Sequence, residues 1–256
     1  VACYLLAGVF AGLVAGLLGV GGGIVVVPVL ILLFEAQGFS EQVLTHMAIG
    51  TSLATIVFTS SSSALNHHRL GAVLKPVFKP MSAGIVVGAV LGVFTVVQLE
   101  GAWLKKMIGL FALIVAARMT LSGLKQGQLS VPASPVLASV GIFVGWVSSM
   151  FGIGGGTLTV PFLSRYNLAM QQVVGTSAAC GLPIAIAGTL ANFWVGAGVP
   201  NRPEWSLGFI YLPALLSIAL ASIYFARVGA RLAHRLPSRV LRKLFAFALF
   251  CVGIKL

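Results

Sequence analysis

Two short segments carry chemistry without a catalytic side chain: Gly19-Val20-Gly21-Gly22-Gly23 and Gly152-Ile153-Gly154-Gly155-Gly156, each followed five residues later by a proline, Pro28 or Pro161. Glycine runs let a backbone leave a helix and let a ligand or a second chain segment come close. The residues after each run, Ile24 to Phe34 and Thr157 to Leu163, read as the start of a new helix. A helix that starts inside a membrane presents unpaired N–H groups and the positive end of its dipole, and an anion is the natural ligand for both. The hydroxyl pairs Thr51-Ser52 and Thr176-Ser177 offer O–H donors without charge. They serve equally well as hydrogen bonds between helices, and both readings stay open.

The side chains that would support other chemistry are missing from the apolar runs. No Asp or Glu lies well inside one, which argues against a carboxylate proton relay, a di-metal enzyme and an intramembrane aspartyl protease. A proton could travel on the substrate, through His46, or not at all. Cys3, Cys180 and Cys251 are odd in number, widely spaced and set in apolar sequence, so they read as small packing residues, with no disulfide framework and no metal cluster. No cofactor is indicated. His67, His68 and Arg69 sit at a span end, where contact with lipid is the simpler role. An enzyme built on His67, His68 or Cys180 lacks acid–base partners at workable spacing.

The elements that must hold these segments follow from composition. With 59% hydrophobic and 8% charged residues, and 31 glycines in 256 positions, the chain has too little polar surface for a soluble domain. It reads as an all-α, polytopic transmembrane bundle, which sets aside soluble enzymes, secreted disulfide scaffolds and disordered tails. The net charge of +12 would suggest nucleic acid in a soluble protein; beside apolar spans it points to anionic lipid and to orientation instead. The chain opens on Val1, with no cleavable leader ahead of the first span, which reads as a trimmed start.

Apolar runs lie at about 1–34, 44–65, 81–98, 103–122, 135–163, 172–196, 207–226 and 240–256. The first and fifth exceed the roughly 20 residues that a crossing helix needs, and both contain a glycine run. Gly19 to Leu30 (GVGGGIVVVPVL) and Gly152 to Leu163 (GIGGGTLTVPFL) match without a gap. Gly50-Thr51-Ser52 recurs as Gly175-Thr176-Ser177, Asn66 as Asn192, and Leu104-Lys105-Lys106 as Leu241-Arg242-Lys243. The chain therefore divides into a first repeat, 1–124, a connector, 125–134, and a second repeat, 135–256.

Charge sets the expected orientation. If every long run crossed once, the basic residues would split almost evenly between the two faces. If each broken run returns to the face it came from, Arg69, Lys75, Lys79, Arg118, Lys125, Arg165, Arg227, Arg231, Arg235, Arg239, Arg242 and Lys243 share one face, twelve of the sixteen. Lys105, Lys106, Arg202 and Lys255 lie opposite with all four acids, Glu35, Glu41, Glu100 and Glu204. This bias predicts inverted-topology repeats, a cytoplasmic basic face and both termini outside. Parity does not separate re-entrant hairpins from pairs of short helices. Paired breaks in inverted halves place one site at the midplane, open to either side in turn. Sodium could be held there by freed carbonyls, and a passive channel with the breaks as its filter is the alternative. Thr59 to Ser63 read as small-residue packing, Asn66 and Asn192 as caps or bridges, and Trp103, Trp194 and Trp205 as interfacial anchors, with Trp146 just ahead of the second break.

The paired GxGGGxxxxPxL segments and paired Gly-Thr-Ser elements, spread over nearly the whole chain, resemble the sulfite exporter TauE/SafE family of membrane permeases. That resemblance implies a multi-pass carrier of the bacterial-type inner membrane for a small sulfur-containing anion such as sulfite or an organosulfonate. It maps the family's glycine-rich elements onto Gly19, Gly21, Gly22, Gly23 and Pro28, and onto Gly152, Gly154, Gly155, Gly156 and Pro161. Its second element falls on Thr51, Ser52, Thr176 and Ser177. The expected partners are the anion, membrane lipid, a coupling proton or sodium, and a further copy of the chain, with no nucleic acid.

Overall fold

The computed structural model describes residues 2–18, 23–121, 127–233, 246–247, 249–251 and 253–256. The second over-long apolar run is broken where its glycines stand, and the first is described on either side of Gly19 to Gly22. The first gives α1 (Ala2–Leu18) and α2 (Gly23–Ala36), the second α6 (Ser134–Met150) and α7 (Gly156–Leu163). At 1.5 Å per residue, the 14 residues of α2 rise about 21 Å and the 8 of α7 about 12 Å, so neither spans the ~30 Å hydrocarbon layer alone. Between them run α3 (Glu41–Arg69), α4 (Lys75–Val97) and α5 (Gly101–Leu121); after them come α8 (Met170–Gly196) and α9 (Leu212–Ala233). Among the described residues α3, α4 and α8 are long and apolar enough to cross a membrane. Those described between 246 and 255 are helical. The chain is a helical membrane protein.

Local sequence explains the helix starts. Pro76 and Pro135 occupy the first turns of α4 and α6, where a missing N–H costs nothing. A two-stranded hairpin, β1 (Ser206–Leu207) and β2 (Ile210–Tyr211), turns through Gly208 at φ +59 and feeds α9.

Glycine decides which helices touch. Cβ atoms added at Gly84, Gly88 or Gly92 of α4 would strike the α6 backbone or Ser149, and those at Gly141 or Gly145 of α6 would strike α4. A small residue at every fourth position lets the two backbones meet. In the same way Gly8 and Gly12 of α1 rest on Ile218, Ala221 and Ser222 of α9. The first helix of each sequence repeat thus packs on the fourth helix of the other.

At the centre α3 and α8 lie together and run antiparallel. The end of α3 leads to Leu74, whose N–H donates to Thr176 near the start of α8 (3.0 Å). The end of α8 lies at Gly208–Phe209, and Phe209 in turn covers Gly50 of α3. Residues Val43 to Ile56 of α3 are buried throughout, whereas Ser61, Ser62 and Asn66 in its second half are exposed. Tyr4, Phe34, Phe39 and Tyr211 close the end of the bundle where α2 finishes: Phe34 stacks on Phe39 at 4.7 Å and Tyr211 meets both edge-on. Glu35, ion-paired to Lys105, stands at that same end.

Candidate functional site

The second glycine break is built in two parts with opposite hydrogen-bond states. Gly152, at φ +62, ends α6: its N–H reaches the Ser149 carbonyl and the Ile153 N–H reaches that of Ser148 (2.9 Å), a Schellman closure that only glycine adopts without strain. Ser52 Oγ, from α3, donates to the Gly152 carbonyl at 2.7 Å. The carbonyl end of α6 is therefore largely satisfied. The amide end of α7 is not. Gly155 caps α7 without a side-chain bond, and the N–H groups of Gly154, Gly155, Gly156 and Thr157 have no hydrogen-bond partner among the described residues. All five residues from Gly152 to Gly156 are buried. Buried amides without partners are rare in native proteins, and here they share one helix start.

The first break meets the second. A Cβ on Gly23, the first residue of α2, would stand 3.0 Å from the Gly152 carbonyl oxygen and 3.1 Å from Ile153 Cα. The positive ends of α2 and α7 thus come within a few residues of each other. Pro28 and Pro161, inside α2 and α7, lack the N–H that would bond the carbonyls of Ile24 and Thr157. Gly19, Gly21 and Gly22 lie outside the described residues.

The hydroxyl pairs separate by role. Thr51 Oγ1 accepts the Tyr211 N–H at 2.9 Å, and Thr176 Oγ1 accepts the Leu74 N–H at 3.0 Å, so each threonine anchors the segment that enters the fourth helix of the other repeat. In this arrangement Ser52 uses its only hydrogen on the Gly152 carbonyl, which makes it a holder of the break. Ser177, at the equivalent place, is buried and its Oγ has no partner.

Other side chains that sequence reasoning passed over stand beside α7. Thr159 has no solvent exposure, its Oγ1 has no partner, and it lies 3.4 Å from where a Gly155 Cβ would be. Thr157 Oγ1 is also unpartnered. Gly181 of α8 faces the same space: a Cβ there would be 3.8 Å from the Gly155 nitrogen and 3.0 Å from Ser60 Oγ. Ser60 was expected to be packing, and it is buried, whereas its neighbours Ser61 and Ser62 are exposed. The usable signal was a difference between the halves: Thr157 and Thr159 stand where the first repeat has Ile24 and Val26.

Several expectations fall away from the site. His46 is buried against the Val96 carbonyl (3.1 Å) and Phe209 (5.3 Å). Asn192 bonds Gly188 in its own helix, while Asn66 is exposed. Trp103, Trp194 and Trp205 are exposed, and Trp146 donates to Thr95 (3.0 Å).

What the fold places together is a pair of helix starts and neutral hydroxyls. The family model described as "Sulfite exporter TauE/SafE" matches residues 4–256. The chain belongs to the sulfite exporter TauE/SafE family. A "Probable membrane transporter protein" of Haemophilus influenzae is 37% identical over 98% of this chain and 96% of its own. Similarly named proteins of Methanocaldococcus jannaschii (25% identical, 98% of this chain and 92% of theirs) and Bacillus subtilis (28%, 90% and 89%) also align. No solved structure matches. Like the other members of the TauE/SafE family it resembles, the chain is a membrane transporter and not an enzyme.

Proposed function

We propose that this transporter is a secondary carrier that exports a small sulfur-containing anion, sulfite or an organosulfonate, held where α2 and α7 begin. The observation that carries the reading is the run of unpartnered N–H groups from Gly154 to Thr157, the first three of them on buried residues, with the start of α2 against Gly152 and Ile153. Such a site binds an anion through partial charges and backbone donors. The family name supports the sulfur chemistry.

Inverted repeats, 1–124 and 135–256, fit the exchange of helix partners and the antiparallel run of α3 and α8. Alternating access then rocks one half on the other about a midplane site. The four aromatic rings close the acidic end in this arrangement, and the exposed hydroxyls of Ser61 and Ser62 suit a watery approach from the other. A proton or sodium would couple the cycle, in a bacterial-type inner membrane, with a further copy of the chain as partner.

The test is counterflow in proteoliposomes with labelled sulfite. A saturable uptake that unlabelled sulfite inside the vesicles accelerates supports a carrier. Flux that never saturates makes the protein a channel, and no flux of sulfite, thiosulfate, sulfoacetate or taurine removes the proposal. A thermal-shift screen with the same compounds, and with sulfate, ranks the ligands, since a ligand of the folded state raises its stability.

A further inference from the structure

The two glycine segments are alike in sequence but are followed by different residues, and the difference points to a location for the site. Beside α7 stand Thr159 Oγ1, fully buried and without a partner, and the Gly181 face of α8 with Ser60 Oγ. The first repeat has Ile24 and Val26 where the second has Thr157 and Thr159. Neutral hydroxyls and free amides are thus gathered on the α7 side. Among the side chains that the structure describes no Lys or Arg is buried, and the two helix starts together supply on the order of one positive charge.

We infer that the site selects an oxyanion carrying a single negative charge, with its oxygens on Gly155 N–H, Thr159 Oγ1 and Ser60 Oγ. The inference rests on the anion-carrier reading and names its substrate class. A sulfonate with no other ionisable group, such as methanesulfonate, meets the condition throughout the neutral range. Sulfite meets it only when singly protonated, so the proton crosses on the substrate and no side chain needs to relay it. A dianion such as sulfate brings a second charge that no buried Lys or Arg among the described side chains balances, and its affinity is lower on the order of a hundredfold or more.

Titratable groups on the elements around the site are few. Among the described residues α6 and α7 have none. On α8 Cys180 precedes Gly181, α2 carries Glu35 at its far end, α3 carries Glu41 and His46 near its start and His67, His68 and Arg69 at its end, and α5, whose Ala112 and Ala116 pack with Ile24 and Ile153, carries Lys105, Lys106 and Arg118. His46 faces Val96 and Phe209. Methanesulfonate, which does not titrate near neutrality, controls for all of them.

The experiment measures ligand-dependent thermal stabilisation and counterflow for purified full-length protein, with methanesulfonate, sulfite and sulfate, one pH unit below and one above neutrality. The expected result is that methanesulfonate binds equally at both, sulfite weakens as pH rises, and sulfate fails at both. Thr159→Val should weaken methanesulfonate and sulfite at least about tenfold, the loss of one hydrogen bond to a charged group, and Thr159→Ser should restore them. Ser60→Ala provides the same reading should Thr159→Val fold poorly. Sulfate binding as tightly as methanesulfonate overturns the charge rule. Wild-type affinity in Thr159→Val and Ser60→Ala overturns the placement. Failure of every anion to stabilise the wild-type protein is a different pattern, which removes the carrier reading together with this inference.

Discussion

Two glycines of the second break should respond to the same substitution in opposite ways. Gly152→Ala puts a side chain at φ +62, which costs about 1–2 kcal/mol for an L residue. Its Cβ would also lie 2.7 Å from Val27 Cγ2 and 3.1 Å from Ile49 Cα, and the second of these is backbone that cannot rotate away. Overpacking of that kind adds about 1–3 kcal/mol, so the total is about 2–5 kcal/mol, or roughly 4–20 °C in Tm for a chain of this size. Gly155→Ala meets neither obstacle. Its φ and ψ, −58 and −25, are ordinary helix values, and its Cβ would touch only the movable Ile184 Cδ1 (3.0 Å) more closely than van der Waals contact. The methyl would instead occupy the space 3.4 Å from Thr159 Oγ1 and from the Gly181 nitrogen, beside the free amides. Gly155→Ala should keep Tm within about 2 °C, a destabilisation below ~1 kcal/mol, and lose most sulfite counterflow. Buried Cys180 reports unfolding through a thiol-reactive dye once exposed Cys3 and Cys251 are changed to Ser. A Gly152→Ala protein that melts with the wild type, or a Gly155→Ala protein that transports like it, refutes the division of labour.

Further outcomes follow from the same contacts. Thr51→Val and Thr176→Val each strand one backbone N–H, so each should lower stability by about 1 kcal/mol; thermal melts of clearly unequal size would count against a two-fold relation between the repeats. Cysteines placed at Gly38 and at Asn167, equivalent loops of the two repeats, should label from opposite faces of intact cells with an impermeant maleimide, and labelling from one face defeats the inverted topology. Gly88→Leu should abolish a monodisperse product in detergent, because its Cβ would stand 2.7 Å from the Ile142 carbonyl carbon, whereas Gly198→Leu, with nothing within 4 Å, should purify normally. Ser52→Ala leaves the Gly152 carbonyl without its donor and should slow counterflow while costing about 1 kcal/mol of stability.

Much of the architecture was legible because membrane burial writes itself into hydropathy and glycine. The over-long second run, its break at Gly152 to Gly155, the restart of helix near Thr157 and the exposed Trp103, Trp194 and Trp205 all follow from length, φ freedom and the polarity of the interface, while Gly19 to Gly22 lie outside the described residues. The roles of the hydroxyls were not legible. Thr51 and Ser52 are adjacent in sequence, yet one accepts from Tyr211 and the other donates to Gly152, and only the fold brings those backbone groups to them. Ser60 among five consecutive hydroxyl residues has no local mark that sets it apart from Ser61 or Ser62; its burial depends on α8 presenting Gly181 there. Thr159 did leave a trace, as a hydroxyl standing where the matched segment has a valine.

The proposed site would account for the absence of Asp and Glu from the interior of the apolar runs. A charged side chain at membrane depth must be desolvated before any ligand arrives, and in an empty carrier that charge has to find a partner or lose its proton. Backbone amides carry no net charge, so a carrier that uses them faces a smaller penalty when its site is vacant, provided that something holds the amides apart from their usual carbonyl partners. The Schellman closure at Gly152 and the Ser52 bond do this from one side by satisfying the α6 carbonyls, and the α2 start at Gly23 crowds the same turn from the other. Glycine is needed at Gly152 for its left-handed φ and at Gly23 for close approach, whereas at Gly155 a methyl would fit the fold but enter the space beside the free amides, so alanine at Gly152 and at Gly155 should separate folding from transport.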